Sequence, residues 1–553
     1  MLSCGRVISV WSSSTGISVR GHVGSRTIVG ARLSAHDCRR TLVRARWFAH
    51  AGSRTLVRAR RAQGGYLSRM LKVGLVTLGC DKNTVDSERY LADLLAYGAV
   101  SVTDMRDADV VVVNTCGFID AAKQESIDAI LEAAKLKDSG KCQAVVAIGC
   151  MIERHKAELL EALPEVDLFL GTSETDRLVP ELVARGLIGG SIVEHPGVRV
   201  FGGGNPHVRY LKVSEGCDHG CAFCAIPLMR GKHRSFALDD LIREAQLLEL
   251  QGARELNLVA QDLAHYGRDR RDGFALPELL ESLVRETSIP WMRNLYLYSA
   301  GITPRLLDVI AANPRIVRYL DTPMQHGSDA VLARMRRPER QRTIREKVRL
   351  YRDAVPDLAM RTTVIVGFPG ETEEDFNTLL EFLEEIQFDR VGVFTYSPQE
   401  GTRANDMTDD VPQSLKNERQ ERVQELQRAI TGERYERFTG RAAQLLVTAV
   451  DGVTGEVECR APWQADDVDG VVRVRVPAEF GGTFAMGGAP QLRLGALIDA
   501  HVDHVVDDYD FQATFLRVAS LPASPSSARA SRSLPVMAEG AAGTPSSVGS
   551  FGR

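Results

Sequence analysis

The chain has 553 residues, of which 44% are hydrophobic and 25% are charged, a composition typical of globular proteins. This length exceeds what one hydrophobic core can fill, so two to four domains are expected. No apolar run reaches the roughly 20 residues that a transmembrane helix needs, so we predict no membrane segment. Ten cysteines are too few for a disulfide scaffold of this size, which favours a reducing, cytoplasmic location and metal or redox roles for grouped cysteines.

The net charge of −4 conceals two parts of opposite sign. Residues 1–69 contain 13 Arg, no Lys and one acid, whereas the rest of the chain has 55 basic and 71 acidic residues. So acidic a body is poorly suited to holding nucleic acid by phosphate neutralisation. The basic leader carries a degenerate repeat without an amphipathic period, so we expect it to lie outside the native fold, with Met70 as the initiator. A transit peptide is the alternative.

Residues 71–187 alternate strand-like and helical stretches, which predicts an α/β domain with a parallel, doubly wound sheet. The strand runs KVGLVTLG, VVVVNT and VVAIG are each followed directly by a cysteine: Cys80, Cys116 and Cys150. Since the carboxyl ends of parallel strands meet at one edge, the three thiols should converge there. Ordinary packing of buried cysteines is the alternative for each of them taken alone.

Three further regions follow a Gly/Pro-rich link. Residues 203–437 contain five or six strand–helix units, which predict a complete or partial βα barrel. Residues 438–505 contain short β-like runs, which predict a small all-β barrel. Residues 520–553 are rich in Ser, Ala, Pro and Gly, so we expect a disordered tail.

A second cysteine group lies in the sequence EGCDHGCAFCAIP, after the predicted first strand of the βα barrel. Cys217, Cys221 and Cys224 could ligate three irons of a cubane cluster and leave the fourth iron open. A zinc site is the alternative, but it normally has four ligands, and His219 would have to supply the fourth from within the loop. Cys142 and Cys459 have no comparable spacing and are assigned to packing.

This segment resembles the signature of the radical S-adenosylmethionine (SAM) superfamily, in which the open iron binds SAM. Phe223 matches the aromatic residue usual between the last two cysteines. The sequence GFPGE resembles a region that helps to bind SAM, which implies roles for Gly367, Gly370 and Glu371. Four polar residues at barrel strand ends are placed either to line the pocket or to make structural hydrogen bonds: Gln261, Asp262, Gln325 and His326.

The order of the three domains resembles the methylthiotransferase family, which adds a methylthio group to unactivated C–H bonds. Stretches such as LGCDKNTVDSERYL and NTCGFIDAAKQES resemble its ribosomal-protein (RimO-type) branch, although Asp81 stands where that branch more often has Pro. The resemblance implies two [4Fe-4S] clusters, one on each cysteine triad, with SAM as cosubstrate. It also implies an aspartate β-carbon in the twelfth small-subunit ribosomal protein as the target, an electron donor such as flavodoxin or ferredoxin, a sulfur donor and a monomeric enzyme.

Adenosine in transfer RNA is the alternative substrate, because another branch of the family modifies it. A β domain that binds RNA should present basic and aromatic residues. Residues 438–503 instead contain five Arg, no Lys and nine acids. This balance favours a basic protein as the substrate, unless the acids serve solubility alone.

Overall fold

The computed structural model describes residues 70–138, 140–192, 199–451, 456–466, 468–477 and 492–522. The predicted leader, residues 1–69, lies outside the described residues, as does the predicted disordered tail from residue 523 onward. Along the described chain, no helix combines the length and the apolar content that crossing a bilayer requires.

The amino-terminal domain is a parallel five-stranded sheet in the order β2-β1-β3-β4-β5, which confirms the doubly wound prediction. Its central strands β3 and β4 are buried along their whole length, as their valine-rich sequences require. The strand order reverses between β1 and β3, and sheets of this class bind ligands at such a point. The strands are β1 (Lys72–Thr77), β2 (Val100–Ser101), β3 (Val110–Thr115), β4 (Ala144–Gly149) and β5 (Leu168–Leu170); the helices are α1 (Asp81–Ala96), α2 (Asp120–Asp138), α3 (Cys150–Ala162) and α4 (Leu178–Ala184).

The second domain is a six-stranded parallel sheet in the order β13-β12-β11-β10-β9-β6, so the barrel is partial, with two free edges. Helices between the strands cover its outer face. The strands are β6 (Val208–Lys212), β9 (Glu255–Val259), β10 (Trp291–Asn294), β11 (Ile316–Asp321), β12 (Ala359–Val366) and β13 (Arg390–Thr395), with a small ribbon of β7 (Ser214–Glu215) and β8 (Arg234–Ser235). The helices are α5 (Ile226–Arg230), α6 (Leu238–Leu250), α7 (Leu276–Glu286), α8 (Pro304–Ala312), α9 (Asp329–Arg334), α10 (Gln341–Ala354), α11 (Glu373–Ile386) and α12 (Gln413–Tyr435).

The third domain is a closed five-stranded barrel in the order β14-β15-β16-β18-β17, as predicted. It extends beyond residue 505, where the sequence analysis ended it, because β17 and β18 form a hairpin across that point. The turn of this hairpin contains Asp507 and Asp508, both with positive φ, and it lacks the Asn-Gly or Asp-Gly pair that usually marks such turns. The strands are β14 (Arg441–Val450), β15 (Glu456–Arg460), β16 (Val472–Arg475), β17 (Leu497–Val506) and β18 (Asp510–Ser520).

The β barrel shares a hydrophobic core with the partial βα barrel. Val208, Trp291 and Ala359, the first residues of β6, β10 and β12, belong to the same buried cluster as the interior of the β barrel. The β barrel therefore covers the end of the partial barrel at which its strands begin. The opposite end, where the strands finish, stays available for the cysteine loop.

Candidate active site

The Cys217–Cys224 loop lies at the carboxyl end of β6, between β7 and α5. Backbone hydrogen bonds fix it from both sides: Cys217 N donates to Gly231 O (3.1 Å), and Ala222 N donates to Met335 O (3.0 Å). Gly216 precedes the loop with φ +79°, and a Cβ there would lie 2.1 Å from Lys232 O, so only glycine fits. The loop is thus held at the mouth of the partial barrel, where such folds place their chemistry.

The three thiols of this loop lie close enough to influence one another electrostatically. Burial raises the pKa of Cys217 to about 11 and that of Cys224 to about 12, so both are neutral thiols until a metal displaces the proton. Arg337, which the sequence analysis missed, donates from Nη1 to Cys221 Sγ (3.7 Å) and so offers positive charge to a thiolate at that position.

His219 does not join the thiols as a fourth ligand. Its Nε2 lies 2.7 Å from Asp262 Oδ2, and its ring stacks on Tyr298 with the centroids 4.0 Å apart. A donor set of three thiols fits a cluster with one open iron better than it fits four-coordinate zinc. The assignment of this triad to a cluster stays a prediction.

The GFPGE turn follows β12 and packs against the cysteine loop. Phe368 lies in a small apolar cluster with Ala222 and Phe223, so the two motifs of the radical SAM resemblance meet in space. Gly367 and Gly370 have φ of +71° and +74°, which make the turn possible.

Glu371 is buried and is held by the protein itself. It accepts hydrogen bonds from Phe368 N (3.1 Å) and Arg419 Nη1 (2.9 Å). Its carboxylate therefore stabilises the turn. A direct contact of Glu371 with SAM stays a prediction that the packing does not favour.

The four polar residues at barrel strand ends make structural hydrogen bonds. Gln261 Nε2 donates to Glu215 (2.8 Å), and Asp262 accepts from Ala264 N (3.0 Å). His326 Nδ1 accepts from Ser328 N (2.8 Å), and Gln325, with φ +77°, forms a bridge to Val364. These contacts hold the side chains of Gln261, Asp262 and His326, whereas the bridge of Gln325 is made by its backbone. A role of the four residues in lining the pocket stays a prediction.

The second triad lies at the carboxyl edge of the amino-terminal sheet. Cys80 precedes α1, Cys116 follows β3, and Cys150 begins α3. The strands end level with one another, because Asn114 pairs with both Thr77 and Ile148. The three cysteines therefore come from neighbouring strand ends at one edge of the sheet, on either side of the point where the strand order reverses.

Glycines allow the loops of this triad to approach closely. A Cβ on Gly79 would lie 2.7 Å from Cys116 Cβ, and a Cβ on Gly117 would lie 2.8 Å from Met151 Cα. Any larger residue at either position would push the strand ends apart, so glycine at both positions lets the loops that carry the cysteines pack closely.

Arg230, at the end of α5, connects the partial barrel to the amino-terminal triad. Its Nε donates to Cys150 Sγ (3.1 Å) and its Nη1 pairs with Asp86 (2.6 Å). Cys150 also packs against Ala225, the residue that follows Cys224. Cys150 of one triad therefore packs against the short helix that follows Cys224 of the other. Arg230 lies outside both cysteine patterns, so no motif in the sequence pointed to it.

Two cavities lie between the partial barrel and the β barrel. One of about 400 Å³ is lined by residues of all three domains, from Gly79 and Tyr296 to Asp466. The other, of about 700 Å³, lies among β13, α12 and the β barrel. Arg361 and Asp466 line both cavities, so the two cavities are neighbours, and the 400 Å³ cavity is the one lined by residues on either side of Cys80, Gly79 and Asp81.

Comparison with known proteins defines the class. The model of the radical SAM superfamily matches residues 211–383, which include the cysteine loop and the GFPGE turn. The model described as uncharacterized protein family UPF0004 matches residues 72–171, which include the other triad. The fold, the two triads and these matches define a radical SAM enzyme with an additional three-cysteine domain.

Its relatives narrow the class to one family. The chain is 44% identical to the ribosomal protein uS12 methylthiotransferase RimO of Anaeromyxobacter sp. (strain Fw109-5), over 73% of this chain and 87% of the relative. The RimO proteins of Symbiobacterium thermophilum (42%, covering 78% and 90%) and Geobacter sulfurreducens (42%, covering 73% and 92%) are similarly related. The chain belongs to the RimO family of radical SAM methylthiotransferases, which confirms the family that the sequence predicted.

Proposed function

We propose that this methylthiotransferase acts on the β-carbon of an aspartate in ribosomal protein uS12, with two [4Fe-4S] clusters and SAM. Cys217, Cys221 and Cys224 would hold the cluster that binds SAM, and Cys80, Cys116 and Cys150 would hold the second cluster. The observation that carries this proposal is that Cys150 of one triad packs against α5, the helix that follows Cys224 of the other triad, and contacts Arg230 at its end.

The bound groups would supply radical chemistry at one triad and the sulfur to be transferred at the other. The protein binds and orients them. Phe223 and Phe368 of the GFPGE turn pack together beside the Cys217, Cys221 and Cys224 triad, and Gly367 and Gly370 supply the positive φ values that this turn requires. Arg337 and Arg230 offer positive charge to Cys221 and Cys150, which would stabilise anionic clusters.

The substrate is proposed from the family and from charge. The net charge of −4 over residues 438–503 favours a basic ribosomal protein over RNA. The 400 Å³ cavity is lined both by Asp466 of this barrel and by Gly79 and Asp81 beside Cys80, so it could receive a loop of uS12 close to the amino-terminal triad. A flavodoxin or ferredoxin as electron donor, a separate sulfur donor and a monomeric state complete the proposal.

The experiment is anaerobic reconstitution of the full chain, followed by assays on isolated uS12 and on transfer RNA. We expect about eight irons per chain and a mass increase of about 46 Da on uS12, the mass of SCH₃ less one hydrogen. Cys221→Ala should abolish 5′-deoxyadenosine formation, whereas Cys116→Ala should retain it without making product. Cys459→Ala, which removes a buried thiol of the β barrel, is the matched control.

Two results would contradict the proposal. Modification of transfer RNA alone would show that the substrate is wrong. Zinc in place of iron, or far fewer than eight irons, would show that the two triads do not both hold clusters.

A further inference from the structure

Lys82 lies in the first turn of α1, two residues after Cys80, and is only 7% exposed. Its Nζ lies 3.1 Å from the centroid of the Tyr296 ring, a close cation–π contact. Among the residues that the structure describes, no carboxylate comes within 4.0 Å of this ammonium group. Lys82 is therefore a buried cation without an ion-pair partner.

The neighbouring buried cations differ in this respect. Lys212 and Arg230 both pair with Asp86, and Arg361 pairs with Asp321 (3.1 Å). A buried charge is costly unless it is paired, and a cation–π contact offsets only part of that cost. The environment of Lys82 is therefore that of an anion-binding group.

Asp81 and Asp321, the two acids that contact Tyr296, form their hydrogen bonds and ion pairs with groups other than Lys82. Asp81 Oδ2 accepts a hydrogen bond from the Tyr296 hydroxyl (3.1 Å). Asp321 accepts from Tyr296 N (3.2 Å), in addition to its ion pair with Arg361. These contacts fix Tyr296, which has φ +61°, and leave the ammonium group to an anion from outside.

The position of Lys82 places it beside the amino-terminal triad and the partial barrel. It stands two residues after Cys80, and the Tyr296 ring that it faces belongs to the partial barrel. Tyr296, which supports the ammonium group, comes two residues after β10 at the mouth of the partial barrel and also lines the 400 Å³ cavity. An anion bound by Lys82 would therefore lie beside Cys80 and at the mouth of the partial barrel.

We propose that the Lys82 ammonium group binds the carboxylate of the target aspartate and thereby places its β-carbon beside Cys80, at the mouth of the partial barrel. This inference rests on the proposed function, because it requires an aspartate as the substrate. The β-carbon is bonded directly to the carboxylate carbon, so a charge-assisted hydrogen bond to the carboxylate restricts the position of the reacting atom. The Tyr296 ring holds the ammonium group from the other side.

The test compares Lys82→Met with the wild type, both as reconstituted full chains in the presence of SAM. The ligands are uS12 and a uS12 variant with Asn in place of the target Asp, which has the same shape without the charge. For the wild type, we expect the Asn variant to bind at least about 30-fold more weakly, as is typical when one partner of a buried charge pair is removed. Lys82→Met should bind both ligands equally weakly.

Additional measurements distinguish binding of the substrate carboxylate by Lys82 from a role in stabilising a cluster or the fold. Lys82→Met should keep the iron content, the cluster spectrum and the 5′-deoxyadenosine formed without uS12. Lys82→Arg, which keeps the charge, should recover part of the preference for Asp. Lys141→Met, which removes an exposed lysine paired with Asp107, is the matched control and should behave like the wild type.

Three results would overturn the inference. In the first, Lys82→Met still prefers Asp to Asn as strongly as the wild type does. In the second, Lys82→Met loses iron or changes the cluster spectrum, which would show that the anion bound by Lys82 is the cluster itself. In the third, the wild type makes no methylthio product on uS12, which would refute the proposed function itself and be recognised before any variant is compared.

Discussion

At the scale of single residues, the site depends on side chains outside the cysteine motifs. Arg230 is buried and contacts Asp86, Glu215 and Cys150, so one guanidinium group joins the amino-terminal domain to the partial barrel. Burial alone would raise the pKa of Asp86, but Lys212 and Arg230 lower it to about 2. Because this pKa is depressed, the stability that Asp86 contributes is present at neutral pH and is lost as the pH falls towards 2.

We predict that Arg230→Gln lowers the free energy of unfolding by about 3–5 kcal/mol, because it breaks a buried charge network. It should also reduce the iron bound by the Cys80, Cys116 and Cys150 triad, while SAM cleavage at the other triad persists. Urea unfolding and iron analysis of the reconstituted protein measure both effects. Arg89→Gln, which removes a partly exposed partner of Glu244, should cost no more than about 1 kcal/mol. Equal effects of the two variants would contradict the prediction.

At the scale of elements, local sequence patterns predicted the strands and the positions of the cysteines at their ends. They did not predict the contacts between domains. The strand-end positions of Cys80, Cys116 and Cys150 indicated their convergence because a parallel sheet aligns the ends of its strands. The contact of Arg230 with Cys150 joins residues 80 positions apart in two domains, and no local periodicity records such docking. For the same reason Lys82, next to a recognised cysteine, gave no signal until its partner Tyr296 was known.

The turn before α1 offers a prediction about how the thiols are brought together. Gly79→Ala and Gly186→Ala both place alanine at positive φ, +88° and +71°, which costs roughly 1–2 kcal/mol. At Gly79 the new Cβ would also meet Cys116 at 2.7 Å, whereas at Gly186 no atom lies within 4 Å. We expect Gly79→Ala to lose a further 1–3 kcal/mol or so through overpacking, with iron lost from the amino-terminal triad. Urea midpoints and iron content measure this, and a smaller loss at Gly79 than at Gly186 would refute it.

At the scale of the whole molecule, the β barrel and the partial barrel are joined by a shared core and by buried charge. Glu255, at the start of β9, pairs with Arg293 (2.7 Å) and with Arg460 of the β barrel. Burial would raise the pKa of Glu255, but Arg460 and Arg293 lower it below the usual range, so the carboxylate is ionised at neutral pH. With apolar residues of both domains in one cluster, neither domain can open without exposing the core of the other.

This coupling predicts that the two domains unfold together. Glu255→Gln leaves the buried Arg293 without its carboxylate and Arg460 with Asp466 alone (3.0 Å), and it should cost about 3–5 kcal/mol. Hydrogen exchange should show β9 and β15 losing protection by the same amount, because both report one cooperative opening. Arg517→Gln, which removes an exposed partner of Asp499, should change protection by less than about 1 kcal/mol. If Glu255→Gln exposed β15 while β9 kept its protection, the β barrel would be an independent unit. Its acidic surface would then be tethered to the partial barrel rather than held in a fixed position beside the 400 Å³ cavity.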